Sequence, residues 1–178
     1  YVRVDGQMRT SESNIFAIGD IVGAALAHTA SHQGSLVAEI LAGHSKLVFE
    51  PRAIPNVVYT DPEIAWCGLT EEQAKAKGID VKVARFPWSA SGRATAIARN
   101  DGLTKMLVDP STDRILGVGV AGANAGELIA EGVLAVEMAA LASDVQLSIH
   151  PHPTLSETVM ETAEVYYGQS PHLYAPKR

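Results

Sequence analysis

The chain lacks the features of several common protein classes. It has one cysteine, Cys67, among 178 residues, so it can form neither an internal disulfide framework nor a metal site built from a cysteine cluster. Basic residues are outnumbered, 14 against 20 acidic, and the net charge of −6 offers no attraction to nucleic acid or to an anionic membrane. No apolar run approaches the ~18 residues of a transmembrane helix. We expect no nucleic-acid or membrane partner, and the single cysteine favours a reducing, cytoplasmic location.

The remaining composition suits a folded protein. Hydrophobic residues make up 47% of the chain and charged residues 19%, which is enough apolar material for a packed core. The chain opens at Tyr1 with a strand-like alternation and no initiator methionine, so we expect a fragment of a longer protein. Its length has room for one domain and a piece of another.

Residues 1–45 have the pattern of the end of an α/β domain. Residues 1–4 alternate like a strand, and the apolar run at residues 14–18 is followed by a helical pattern over residues 24–41. A strand followed directly by a helix is typical of nucleotide-binding α/β domains, but one such unit cannot build a doubly wound sheet. We therefore expect this segment to be the tail of an α/β domain.

A different organisation follows a short linker, which is predicted at residues 46–54 from its proline and charged residues. In residues 55–178 the strands come first and the long helices last, an order typical of α+β domains. We therefore expect an antiparallel sheet with helices on one face. The predicted strands cover residues 56–60, 63–69, 81–86, 103–108 and 114–120, and the predicted helices cover residues 70–78, 124–141 and 154–167.

The densest group of chemically useful side chains is the segment HPHPTLSE at residues 150–157. Its alternating prolines keep the backbone extended and stiff, which suits a histidine that must be aimed for proton transfer. Glu157 could accept a hydrogen bond from one ring nitrogen of His152 and so orient the imidazole. The same residues also form a capping-box pattern starting at Thr154, in which Glu157 only satisfies a backbone N–H. On chemistry alone both interpretations stay open.

Residues 150–157 resemble the histidine–glutamate signature of the dihydrolipoamide dehydrogenase family, a group of flavin disulfide oxidoreductases. Other segments resemble the same family in the same order along the chain. Residues 9–20 resemble its second flavin-binding motif and Leu26-Ala27-His28 the turn that follows, while residues 59–66 and 86–94 resemble parts of its interface domain. The resemblance covers nearly the whole chain and implies the C-terminal portion of such an enzyme.

The resemblance implies a role for each matched residue. His152 would be the general acid/base that exchanges a proton with the lipoamide thiols, and Glu157 would hold it in place. The flavin of FAD would be contacted by Asp20, by the turn at Leu26, Ala27 and His28, and, from the opposite subunit, by Pro153.

The resemblance also implies the domains, cofactors and partners of the whole enzyme. Residues 1–45 would end its FAD-binding domain and residues 55–178 would form its dimerisation domain. FAD and NAD would carry electrons away from dihydrolipoamide, and two copies of the chain would form a homodimer. Lipoyl domains of a 2-oxo acid dehydrogenase or related multienzyme complex would deliver the substrate.

Two parts of the family's machinery are not in this sequence. The pair of redox cysteines is absent, and the Gly-x-Gly-x-x-Gly spacing at Gly117, Gly119 and Gly122 falls in a predicted hairpin strand rather than at a strand-to-helix phosphate turn. By itself, therefore, the chain is expected to bind FAD weakly or not at all and to be inactive.

Other functions have weaker signals. His28 and His32 have the spacing of metal ligands on a helix, but Thr29 stands where the metalloprotease pattern needs a glutamate, so no metal site is expected. Two alternatives to a lipoamide enzyme stay open. One is an assembly module without catalysis of its own, and the other is a related flavin disulfide reductase such as a glutathione reductase.

Overall fold

The computed structural model of the chain describes residues 1–23, 26–44 and 46–173. Its contacts divide the chain into two compact units, residues 1–51 and residues 52–178. The first unit contains a 3-10 turn at Gly19–Val22 and one long helix, α1, at Ala27–Leu41. The helix was predicted from residue 24, but residues 24 and 25 lie outside the described residues.

The strands predicted at residues 1–4 and 14–18 are wrong. The described part of this unit has an isolated bridge between Arg9 and Phe16 instead of a strand ladder. The Asp5 carboxylate accepts hydrogen bonds from the N–H groups of Gln7 and Arg9, at 2.8 and 2.9 Å. These side-chain contacts close a tight turn, which competes with extended pairing of the backbone.

The second unit is an antiparallel sheet with helices, as its sequence pattern predicts. The five strands lie in the order β1-β2-β5-β4-β3, and every neighbouring pair is antiparallel. The strands are β1 at Asn56–Val58, β2 at Glu63–Gly68, β3 at Lys82–Pro87, β4 at Leu103–Val108 and β5 at Ile115–Gly122. The helices are α2 at Glu71–Ala76, α3 at Gly92–Ala96, α4 at Ala125–Glu137, α5 at Ala142–Leu147 and α6 at Glu157–Tyr167.

One face of the sheet forms the core of this unit. Alternate residues of the strands point to that face and are buried: Ala65, Cys67, Ala84, Phe86, Thr104, Met106, Val118 and Val120. Helix α4 packs over β2 and β5, and α6 packs over β3 and β4. The predicted arrangement, with helices on one face of an antiparallel sheet, is confirmed.

The helices differ from the prediction in the connections around the site. The helix predicted over residues 124–141 ends at Glu137 because Ala139 has a left-handed φ of 52°. The chain then forms α5, which the sequence pattern did not separate from its neighbours. Helix α6 begins at Glu157 rather than Thr154. Helix α3 was also not predicted, because five residues are too few to show a helical period.

A chain of buried hydroxyl groups fastens α6 to the sheet. The Trp88 indole N–H donates to Thr104 Oγ1 at 2.9 Å, Thr104 donates to Thr158 Oγ1 at 2.8 Å, and Thr158 donates to the Leu155 carbonyl at 2.7 Å. The side chains of Trp88, Thr104 and Thr158 are almost completely buried. Since buried polar groups are costly unless paired, these contacts fix the register of α6 on β4.

The position of the Trp88 ring depends on two glycines. A Cβ atom at Gly102 would lie 2.2 Å from Trp88 Cδ2, and one at Gly122 would lie 2.4 Å from Cη2. Both distances are far shorter than a van der Waals contact. The Trp88 ring can therefore reach Thr104 only because residues 102 and 122 are glycines and have no side chain.

Removing the hydroxyl of Thr104 tests this attachment. We expect Thr104→Val, which keeps the volume but leaves the Trp88 N–H without an acceptor, to lower the free energy of unfolding by about 1–3 kcal/mol. Thr104→Ser is the matched control, because it keeps the hydroxyl and loses one methyl group, worth about 0.8 kcal/mol. Urea unfolding measures both variants, and a valine variant as stable as the serine variant would contradict the prediction.

Candidate active site

The loop between α5 and α6 brings His152 and Glu157 into contact. His152 Nδ1 lies 2.9 Å from Glu157 Oε1, and Glu157 Oε2 accepts a hydrogen bond of 2.8 Å from the Thr154 N–H. Both interpretations of residues 150–157 therefore hold at once. Oε1 of Glu157 orients the His152 ring, and Oε2 satisfies the Thr154 N–H. Because a carboxylate oxygen only accepts, Nδ1 carries the ring hydrogen, and Nε2 is the nitrogen that can take up or release a proton.

The two side chains differ in exposure. The Glu157 side chain is 17% exposed, whereas that of His152 is 72% exposed. The Thr154 hydroxyl closes the turn between them by donating to the Pro151 carbonyl at 2.7 Å. A carboxylate held inside the fold and an imidazole facing outward is the arrangement that a positioned acid/base requires. The catalytic role of this pair stays a prediction.

The other histidine of the segment anchors the loop. His150 Nε2 lies 2.8 Å from Glu131 Oε1 on α4, and Nδ1 lies 2.9 Å from the Ser148 carbonyl. The His150 side chain is only 8% exposed. His150 thus ties the start of the loop to α4, while Glu157 ties its end to α6. No sequence signal marked Glu131, because 19 residues separate it from His150.

A cavity of about 180 Å³ beside His152 contains a second histidine–glutamate pair. His172 lies on the segment after α6, and its Nδ1 is hydrogen-bonded to Oε1 of Glu161. Residues from both pairs line the cavity, together with Phe86, Ala90, Ser91, Gly92 and Thr158. The sequence could predict that Glu157 and Glu161 lie close together, because they are four residues apart on a predicted helix. No pattern in the sequence predicts that the segment after α6 folds back and places His172 against Glu161.

Pro153, the predicted flavin contact across the subunit boundary, lies on a different and larger cavity. That cavity has a volume of about 490 Å³ and opens between the loop, the region around α3 and the start of α4. Arg93 and Glu127 are the charged residues that line it. Pro153 is exposed there, and its contact with a flavin stays a prediction.

The other predicted cofactor residues lie together in the first unit. Asp20 is exposed in the 3-10 turn, and Leu26 precedes α1 in an extended conformation, with φ −140° and ψ 129°. Ala27 and His28 form the exposed first turn of α1, and the N-cap residue Leu26 makes no side-chain cap. Their N–H groups at the helix start are suited to an electronegative ligand edge. The assignment of these residues to FAD stays a prediction.

The free thiol of Cys67 is not placed to react. Cys67 lies in the core face of β2, and burial raises the pKa of its thiol to about 11. It is therefore protonated at neutral pH and cannot act as a thiolate nucleophile. Within the described ranges, no group of three or more His, Cys, Asp or Glu side chains is placed to hold a metal ion. No helix in the described part of the chain has the length and apolar character to cross a membrane.

The fold and the loop together point to one class of protein. Residues 54–163 match the dimerisation domain of the pyridine nucleotide-disulphide oxidoreductases. The chain therefore belongs to this family, as the resemblance of its segments indicated.

Curated relatives of the chain are dihydrolipoyl dehydrogenases. The protein from Vibrio cholerae is 52% identical over 169 residues, which cover 94% of this chain and 35% of the relative. The protein from Geobacillus stearothermophilus is 50% identical over 173 residues, which cover 97% of this chain and 37% of the relative. This chain thus spans about a third of the length of the relatives it matches.

Solved structures agree with this classification. The crystal structure of LpdA from Mycobacterium tuberculosis matches with a TM-score of 0.86 and 27% identity, over 92% of this chain and 36% of that protein. RclA from Escherichia coli, an HOCl-induced flavoprotein disulfide reductase, matches with a TM-score of 0.82 and 27% identity, over 93% of this chain and 38% of that protein. The chain thus shares its fold with about a third of each of these two proteins.

Substitution of Glu157 tests whether one carboxylate serves two partners. Glu157→Ala leaves the Thr154 N–H and the His152 ring unpaired, so we expect the free energy of unfolding to fall by about 1–2 kcal/mol. Glu157→Gln keeps a carbonyl oxygen for Thr154, so its stability should stay within about 0.5 kcal/mol of the wild type. Chemical denaturation of both variants measures the difference. If the two variants lost the same free energy of unfolding, the hydrogen bond from Thr154 would not be the source of the stability that Glu157 provides.

Proposed function

We propose that this chain is the part of a dihydrolipoyl dehydrogenase that supplies the acid/base residue and the dimer interface. The observation that carries the proposal is the 2.9 Å contact between His152 Nδ1 and Glu157 Oε1. Identity of 47% to 52% with dihydrolipoyl dehydrogenases supports this member of the family over the reductase RclA, at 27% to 29%. The complete enzyme would oxidise dihydrolipoamide, as the family resemblance implies.

In this proposal His152 acts on the proton of a substrate thiol. A thiol attacks a disulfide only as a thiolate, so a base beside the sulfur is required. Nε2 of His152 takes the S–H proton as that sulfur attacks a disulfide elsewhere in the enzyme, and the displaced sulfur leaves as a thiolate. Glu157 holds Nδ1–H and stabilises the imidazolium that results. FAD and NAD, when bound in the complete enzyme, would carry the electron pair away.

The first unit has groups that suit one end of FAD. The exposed Asp20 carboxylate would accept hydrogen bonds from ribityl hydroxyls, and the N–H groups at the start of α1 would meet the electronegative edge of the isoalloxazine. The buried Thr29 hydroxyl in this turn has no hydrogen-bond partner among the described residues. A polar turn with an unmet hydroxyl fits a site that is completed by other groups.

The second unit has apolar side chains that suit a dimer interface. Leu134 of α4 is 63% exposed and Met138, directly after α4, is 71% exposed; further along the chain, Leu147 and Ile149 are 79% and 99% exposed. Large apolar side chains at such exposure are typical of surfaces that a partner covers. We infer that a second copy of the chain covers them, in an interface above about 1,000 Å² in total.

The catalytic assignment can be tested in an enzyme that joins this chain to the N-terminal half of a dihydrolipoyl dehydrogenase. We expect His152→Gln to lower turnover of dihydrolipoamide by roughly 10²–10⁴-fold, the usual contribution of a positioned acid/base. Steady-state kinetics with NAD as the acceptor measures this effect. An unchanged rate would refute the role of His152.

His44→Gln is the matched control for that experiment. Its ring also contacts a carboxylate through Nδ1, that of Glu39 at 2.5 Å, but it belongs to the first unit and to no part of the proposed machinery. The control should keep the wild-type rate. The chain without the N-terminal half should show neither flavin absorbance nor turnover, and a yellow, active chain would contradict its proposed dependence on the rest of the enzyme.

The dimer has its own test. We expect Leu134→Asp combined with Ile149→Asp to convert the dimer into a monomer, because two charges would have to be buried without partners. Ile79→Asp, at a residue that is 38% exposed after α2, is the control and should leave the dimer intact. Sedimentation velocity at micromolar concentration distinguishes the two states. A wild-type chain that sediments only as a monomer would overturn the inference.

A further inference from the structure

The cavity beside His152 contains two carboxylates that could orient its ring. Glu157 and Glu161 are four residues apart on α6, so their side chains share one face of the helix. Both line the cavity of about 180 Å³ together with His152. With 72% of its side chain exposed, His152 is not fixed by packing. The structure must therefore contain another feature that makes His152 bind Glu157 rather than Glu161.

The two carboxylates differ in the donors that already occupy them. Both oxygens of Glu161 are taken by the segment after α6: Ser170 Oγ donates to Oε2 at 2.9 Å, and His172 Nδ1 binds Oε1. The Leu173 N–H donates to Ser170 Oγ at 3.2 Å and holds the serine in place. On Glu157, by contrast, the Thr154 N–H occupies Oε2 and Oε1 is the oxygen that binds His152.

Glu161 is a strong acceptor that must be satisfied. Its side chain is only 5% exposed, and a buried carboxylate without donors is costly. Its charge acts on its surroundings, because the pKa of the neighbouring Glu164 is raised by burial and further by the negative charge of Glu161. If its two donors were removed, His152 would remain as a basic side chain that lines the same cavity.

We propose that Ser170 and His172 are positioning residues for His152: by occupying both oxygens of Glu161, they leave Glu157 as the carboxylate that orients the ring. This inference rests on the proposed function, in which the contact between His152 and Glu157 is the acid/base pair. The segment after α6 then selects one of two neighbouring carboxylates as the partner of His152 and does not itself need to touch substrate.

The test is the position of the His152 ring in the full chain, observed by NMR with labelled histidine. In the double variant Ser170→Ala/His172→Ala, we expect the nuclear Overhauser contacts from the His152 ring to the Glu157 side chain to be lost and contacts to Glu161 to appear. Adding Glu161→Gln removes the competing charge and should restore the wild-type contacts. His172→Ala alone, which frees only Oε1, should give a partial change and serves if the double variant does not fold.

Each outcome decides the proposal. A ring that stays on Glu157 in these variants would show that Glu161 is neutralised in another way, and the proposal would be wrong. A ring that moves but is not restored by Glu161→Gln would also overturn it, since the tail would then act through another contact. The ring contacts of His150, held by Glu131, should not change and report that the loop is intact. Because this readout is independent of turnover, a failed catalytic role of His152 would be recognised separately.

Discussion

The attachment of α6 to the sheet is the constraint on which the candidate site depends. The Trp88 indole, Thr104, Thr158 and the Leu155 carbonyl form one line of hydrogen bonds that runs from the turn after β3 and from β4 to α6 and the turn before it. Trp88, Thr104 and Thr158 are almost completely buried, so the polar group of each needs its neighbour. A shift of α6 by one residue would break the line and would carry Glu157 away from the loop. The acid/base geometry is in this sense a consequence of core packing.

Around this attachment the protein uses carboxylates to hold imidazoles in three different ways. The pair His150–Glu131 is partly buried and ties the loop to α4, the pair His152–Glu157 presents a ring to solvent, and the pair His172–Glu161 draws the following segment back onto α6. The chemistry of the three contacts is the same. Their exposures, and therefore their roles, are set by which elements surround them.

Much of the second unit could be predicted from local patterns. The strand at residues 103–108 was predicted with its observed bounds, and the helix predicted from residue 70 begins with a capping box between Thr70 and Gln73. These features depend on neighbours in sequence, so composition and period are enough. The strands predicted near the N-terminus failed because a strand requires a partner ladder, which no local pattern supplies.

The sequence by itself determined the family and the α+β class. For Glu157 it offered two contacts, with the His152 ring and with the Thr154 N–H, since both partners lie within five residues of it along the chain. Only the tertiary structure decided that His150 is bound by Glu131 and that Ser170 and His172 occupy Glu161. These contacts join groups from separate elements, and their distances are set by how α4, α6 and the following segment pack, which no spacing along the chain encodes.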